Sequence, residues 1–155
     1  MDNSDNNKKK IILYDQLPVF KLAYDLHLSF FTAFENLSRD YKYAICEEMK
    51  KSMKEVCVNI FRANVRPVKG TSVALARENL EMVRLDLRVL QDLKQINTDK
   101  FVDLNIKLEG ISKQLAFWHR AVRQREGGNA AENAEMLDWA NIPDWADWNQ
   151  WTKNE

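Results

Sequence analysis

The most informative part of this sequence is residues 72–96, SVALARENLEMVRLDLRVLQDLKQI. Its apolar residues recur every three to four positions without a Gly or Pro, which predicts one long amphipathic helix. One face of this helix carries Ala76, Leu80, Val83, Leu87 and Leu90. These side chains are expected to pack against a hydrophobic core.

A second apolar face lies about 180° from the first, at about 100° of rotation per helical residue. It consists of Met82, Leu85, Val89, Leu93 and Ile96. A helix in a four-helix bundle needs only one apolar stripe, so the second face is predicted to be an oligomer interface. The alternative is an irregular bundle in which this helix lies centrally.

Three further stretches have the same helical periodicity, at residues 18–37, 41–65 and 101–125. Short links separate them, and short links favour antiparallel neighbours. The sequence therefore predicts an all-α fold, an antiparallel up-down-up-down four-helix bundle. The predicted organisation is a polar N-terminal arm at 1–17, the bundle at 18–126 and an acidic tryptophan-rich tail at 127–155.

Composition agrees with one domain, since the chain has 155 residues of which 45% are hydrophobic. No signal peptide is recognisable, and no apolar stretch approaches the roughly 20 residues of a membrane span, so a cytoplasmic protein is expected. The net charge of zero hides an asymmetry: residues 1–126 carry 22 Lys and Arg against 17 Asp and Glu, whereas residues 127–155 carry one Lys against six acids. A basic body with an acidic tail hints at a polyanionic partner.

No residue set suggests catalysis, a metal or a cofactor. Neither His27 nor His119 follows a Glu by three residues, as a di-iron bundle would need. Nucleotide-binding loops, nucleophile elbows and Cys-x-x-Cys pairs are also absent from the sequence. Cys46 and Cys57 lie eleven residues apart on one predicted helix, too far for a disulfide, and are interpreted as small core residues.

Basic residues follow the flanks of three predicted helices, where arginine forks suit phosphate contacts. The predicted RNA-binding residues are Arg77, Arg84 and Arg88 on the third helix, Lys113, Arg120 and Arg123 on the fourth, and Lys51, Arg62 and Arg66 on the second. The alternative is that these residues form ordinary solvated helix faces.

Four of the five tryptophans lie in the tail, close to aspartates. The predicted docking residues are Trp139, Trp145, Trp148 and Trp151. Aromatic anchors beside acids are typical of a docking peptide, since a merely disordered tail is poor in aromatics. Packing of the tail onto its own bundle is equally compatible with the sequence.

Several sequence segments between about residues 17 and 122 resemble those of a known family and occur in the same order. They are LPVFKLAYDLHL (17–28), DYKYAICEEMKK (40–51), VNIFRANVR (58–66), LRVLQDLKQI (87–96) and ISKQLAFW (111–118). Together they are similar to the accessory variability determinants of diversity-generating retroelements. These belong to a wider four-helix-bundle family that includes proteins encoded in intervening sequences of bacterial ribosomal RNA genes.

The resemblance implies a bacterial or phage-encoded homopentamer with a basic surface. It implies binding to a reverse transcriptase and to its template RNA, or an RNA/DNA hybrid, in support of mutagenic cDNA synthesis by the partner. No membrane, cofactor or small-molecule substrate is implied. Two other classes are compatible with the residues: a protein-protein adaptor bundle without nucleic-acid binding, and an enzyme whose site has no recognisable motif.

Overall fold

Residues 13–126 of the computed structural model are described here, and within them every regular element is helical. The α-helices are α1 (Pro18–Ala33), α2 (Arg39–Tyr41), α3 (Glu47–Val65), α4 (Gly70–Asp92) and α5 (Thr98–Glu126). A 3-10 turn at Tyr14–Gln16 precedes α1, and a π-helical segment at Lys42–Cys46 joins α2 to α3. The predicted all-α class is confirmed for this part of the chain.

The four long helices α1, α3, α4 and α5 pack in a closed ring. α4 contacts both α3 and α5, and α1 contacts the other sides of α3 and α5. α1 begins at Pro18, which suits the first helical turn because its backbone needs no N–H donor there. The ring leaves one apolar core between the helices, into which each helix directs one face.

α4 and α5 run in opposite directions. Gly70 at the start of α4 contacts Glu126 at the end of α5. Further along, Arg77 contacts His119, and Arg84 contacts Glu109. Residue numbers therefore rise along α4 while they fall along the facing part of α5. These three contacts fix the register between the two helices from Gly70 to Arg84.

The core contains the predicted inner face of α4. Ala76, Leu80, Val83, Leu87 and Leu90 are each at most 1% exposed. The predicted small core residues Cys46 and Cys57 are also buried. In α1, Val19, Ala23 and Leu26 are buried, whereas Leu22, which has the same helical spacing, is 43% exposed because it lies outside their arc.

α4 ends earlier than predicted, at Asp92 rather than near Ile96. Lys94 adopts a left-handed conformation with φ 56, and the N–H groups of Lys94 and Gln95 donate to the carbonyls of Gln91 and Leu90. This hydrogen-bond pattern is a Schellman motif, which reverses the chain after a helix. The turn carries Ile96 back into the core, where it is 8% exposed, so Ile96 does not belong to the outer apolar face predicted for it.

The rest of the second face of α4 is accessible. Met82, Leu85 and Leu93 are 47%, 64% and 42% exposed, and Val89 is half-buried. α4 packs against α3 and α5 on its other sides, so no described helix covers this face. The alternative of a central α4 does not fit this arrangement.

None of the helices among residues 13–126 is both long and apolar enough to cross a membrane.

Candidate nucleic-acid interface

α4 and α5 form a groove between them near the end of α5, which we call the basic groove. It is lined by the side chains of Arg77, His119, Arg120 and Arg123, together with Ala116 and Gln124, and encloses about 420 Å³. The three arginines are exposed. Three of the predicted RNA-binding residues are thus brought into one concave surface by the packing of two helices.

Arg77 and His119 are in direct contact in this groove. Arg77 Nη1 lies 2.6 Å from His119 Nδ1. Because a guanidinium only donates, Nδ1 must accept, and the proton of the neutral imidazole is then on Nε2. Partial burial lowers the pKa of His119 below its ordinary value, and the charges of Arg77 and Arg123 lower it further, while Glu126 opposes them.

The groove is suited to an anion. Arg77, Arg120 and Arg123 place three permanent cations around it, and no carboxylate of the described residues lines it. Guanidinium groups bind phosphate oxygens through paired N–H donors. Gln124 adds a neutral side-chain amide to the lining. The arrangement can therefore hold phosphate groups of a nucleic-acid backbone without reading its bases.

The other two predicted arginines of α4 already have acidic partners. Arg84 lies 3.5 Å from Glu81 and 3.2 Å from Glu109 of α5. Arg88 lies 3.8 Å from Asp92, one turn further along α4. Arg84 therefore contributes to the α4–α5 contact, and its charge is largely compensated before any ligand binds.

The predicted residues of α3 do not join the basic groove, which α4 and α5 form. Lys51 lies 3.2 Å from Glu48, and Arg66 Nη1 donates to Ser72 Oγ at 3.5 Å. Arg62 is half-buried on the same helix, and Lys113 is half-buried on α5. None of these four residues lines the basic groove.

His119 lines the basic groove, although the sequence predicts no role for it in RNA binding. Its neighbours in sequence carried a signal, since His119 and Arg120 are followed by Arg123 at helical spacing. The contact with Arg77 depends on the register between α4 and α5, which periodicity within each helix does not specify.

Residues 13–126 contain no cluster of three or more His, Cys, Asp or Glu side chains placed to hold a metal ion. Burial raises the pKa of Cys57 to about 11, which keeps this thiol protonated. Burial also raises the pKa of Cys46. Both cysteines are therefore poor nucleophiles at neutral pH.

The predicted docking residues Trp139, Trp145, Trp148 and Trp151 lie outside the described residues. Comparison with known protein families found no family that matches this chain. Comparison with curated proteins found no significant match either.

Proposed function

We propose that this chain is an oligomeric accessory protein that binds a reverse transcriptase and its template RNA and supports mutagenic cDNA synthesis. In this proposal the chain forms an up-down-up-down bundle, assembles as a homopentamer in the cytoplasm and leaves the polymerase chemistry to its partner. The partner and the subunit number come from the family resemblance. The RNA-binding part is supported by the residues described above.

The basic groove is the observation that carries the RNA-binding proposal. Arg77, Arg120 and Arg123 surround it, and no carboxylate of residues 13–126 lies in its lining. Most other basic residues predicted to bind RNA have an acid or a structural contact nearby, as Arg84 does with Glu109. A cluster of three cations on two packed helices favours a polyanion, whose binding releases condensed counterions.

The oligomer part is supported by the outer face of α4. Met82 and Leu85 on α4 and Leu93 directly after it form an exposed apolar strip, with Val89 half-buried between them, whereas the inner face of α4 is already in the core. Exposed apolar patches on a soluble protein commonly mark an association surface. A second copy of the chain would cover this strip and repeat the basic groove around the assembly.

The test is the salt dependence of binding to single-stranded RNA. Replacing Arg120 and Arg123 by Gln should weaken binding to all sequences alike and reduce the slope of log K against log salt by about 0.7 for each lost phosphate contact. The control variant, Lys21→Gln with Lys107→Gln, removes the same charge from sites outside the groove. Equal effects of the two variants, or none, would refute the groove as the RNA site.

The second candidate is a protein-protein adaptor without nucleic-acid binding, favoured by the same exposed strip at Met82, Leu85 and Leu93. It predicts no salt-dependent RNA binding by the wild-type chain. A gene for a reverse transcriptase and a pair of near-repeats beside the gene for this chain would favour the first candidate.

A further inference from the structure

α1 and α3 form a second groove, which we call the aromatic groove. It is lined by Tyr14, Phe20, Tyr24, His27, Lys54, Cys57, Val58 and Phe61, and encloses about 340 Å³. The Tyr14 ring packs edge-on against Phe20 and Phe61 at centroid distances of 5.0 and 4.9 Å. Phe20 stacks on Tyr24 at 6.1 Å. One rigid aromatic surface therefore spans both helices.

This surface remains open to solvent. Tyr14, Tyr24 and Phe61 are 38%, 46% and 40% exposed. Phe31 continues the surface along α1, where it is 55% exposed and contacts the His27 ring. Large aromatic side chains contribute much of the affinity at protein interfaces. An exposed aromatic surface of this kind therefore favours binding of an apolar partner.

The rim of the aromatic groove is basic. Lys54 lines it, and Lys50 lies over the Phe31 ring at 4.8 Å. Burial lowers the pKa of His27, and the charges of Lys54 and Lys50 lower it further, so this imidazole is neutral at pH 7. Lys50 is already paired with Glu47 at 3.0 Å, so among residues 13–126 the free ammonium group at the groove is that of Lys54. An apolar floor beside one ammonium group suits aromatic anchors accompanied by a carboxylate.

The aromatic groove lies near the end of the bundle at which α5 finishes. Phe61 is in the last turns of α3, and Lys69 Nζ donates to the carbonyls of Ala63 and Asn64 in its final turn. The backbone N–H of Lys69 in turn donates to Glu126, the last residue of α5. Glu126, the last described residue, therefore lies beside the end of α3 that carries Phe61.

We propose that the aromatic groove binds residues 137–151 of the same chain. These residues contain four tryptophans and three aspartates, and the segment from 127 onward carries six acids against one Lys. Indole rings match the apolar floor, and an aspartate matches the ammonium group of Lys54. Trp139 is thirteen residues beyond Glu126, a length that reaches at most about 45 Å when extended. Glu126 is linked through Lys69 to Ala63, two residues from Phe61, so a linker of this length is long enough for the groove.

A nucleic acid fits this groove less well. The lining offers only Lys54 as a cation, against three arginines in the basic groove. Its other members are mainly aromatic or apolar and present few groups that would bind phosphates or base edges. The tethered segment has a further advantage, because attachment to the same chain raises its effective concentration at the groove.

The test measures acrylamide quenching of tryptophan emission in the full-length chain without RNA, so its outcome is independent of RNA binding. Trp118 is 2% exposed and stays protected, so changes in quenching report on the tail tryptophans. Wild type should show partly shielded tail emission. Phe61→Arg, which fills the groove with charge, should raise quenching and shift emission towards the solvent value.

Lys54→Glu, which reverses charge at the exposed rim, should act in the same direction and serves if Phe61→Arg fails to fold. Ile106→Arg is the matched control, because Ile106 is 67% exposed on α5 and does not line the groove. Circular dichroism checks that each variant keeps its helicity. Fully solvent-like tail emission in wild type, shielding unchanged in both groove variants, or shielding lost on dilution would each overturn the proposal.

Discussion

Arg77 Nη1 and His119 Nδ1 are 2.6 Å apart, so the protonation of one imidazole decides how the guanidinium is held. When His119 is protonated, Nδ1 becomes a donor and the contact is lost. In the protein without RNA, burial and the charges of Arg77 and Arg123 all lower the pKa of His119 below its ordinary value. A phosphate bound in the basic groove would neutralise the arginines and raise that pKa again.

RNA affinity is therefore expected to increase as the pH is lowered from 7.5, because bound phosphate raises the pKa of His119 and binding takes up a proton there. His119→Gln should remove the increase. The measurement is the dissociation constant for single-stranded RNA between pH 7.5 and 5.5 at constant ionic strength, and an increase that persists in His119→Gln would contradict the assignment.

Arg84 and Arg120 should respond differently to the same substitution. Arg84→Met removes the contacts with Glu81 and Glu109 and is expected to lower the free energy of unfolding by about 1 kcal/mol or less, since the side chain is partly exposed. Its effect on RNA affinity should be smaller than that of Arg120→Met, which changes net charge equally. Urea denaturation and RNA titration of both variants provide the comparison, and a larger RNA effect at Arg84 would refute it.

Glu126 caps the start of α4 from the neighbouring helix. Its carboxylate accepts from the N–H groups of Lys69 at 2.7 Å and Gly70 at 3.1 Å, and a Cβ at Gly70 would lie 2.5 Å from that carboxylate. By analogy with N-cap residues, Glu126→Ala should lower the free energy of unfolding by about 1 kcal/mol. Glu126→Gln keeps a hydrogen-bond acceptor and should lower the free energy of unfolding by less. Glu78→Ala is the control on α4, and equal losses in it and Glu126→Ala would refute the cap.

The inner face of α4 could be predicted from the sequence because it depends only on helical periodicity. Leu80 and Leu87 had to lie together once the segment was helical, whatever the neighbouring helices did. The end of the helix could not be predicted in the same way. The left-handed residue of the turn is Lys94, whereas a Gly is the usual signal, so nothing in the sequence marked Ile96 as lying beyond the helix.

The sequence predicts that arginines of α4 and α5 bind RNA, but it does not predict which of them lie together in the basic groove. Arg77 was assigned to a stripe with Arg84 and Arg88 because the three share one flank of α4. The structure separates them, since the antiparallel register with α5 places Glu109 against Arg84 and His119 against Arg77. Such pairing depends on inter-helix register, which one sequence does not reveal.

Leu85 and Leu87 provide a direct comparison of the two faces of α4. Leu87 is fully buried, and Leu87→Ala should lower the free energy of unfolding by about 2–5 kcal/mol through lost contacts and a cavity. Leu85 is 64% exposed, so within a single chain Leu85→Ala should change it by no more than about 0.5 kcal/mol. Chemical denaturation at low protein concentration measures both. Comparable losses would mean that the exposed face is packed within the chain.

The last prediction is that the outer face of α4 holds the oligomer together. Leu85→Glu with Val89→Lys places charges on the exposed strip, while Leu80, Val83 and Leu87 remain in the core. The variant should therefore keep its helicity by circular dichroism and dissociate into monomers by light scattering, because charges on a contact surface lose their hydration when it is buried. Leu28→Glu on α1 is the control, since Leu28 is 48% exposed on another helix. A wild type that is monomeric at micromolar concentration, or a double variant that stays assembled, would refute the interface.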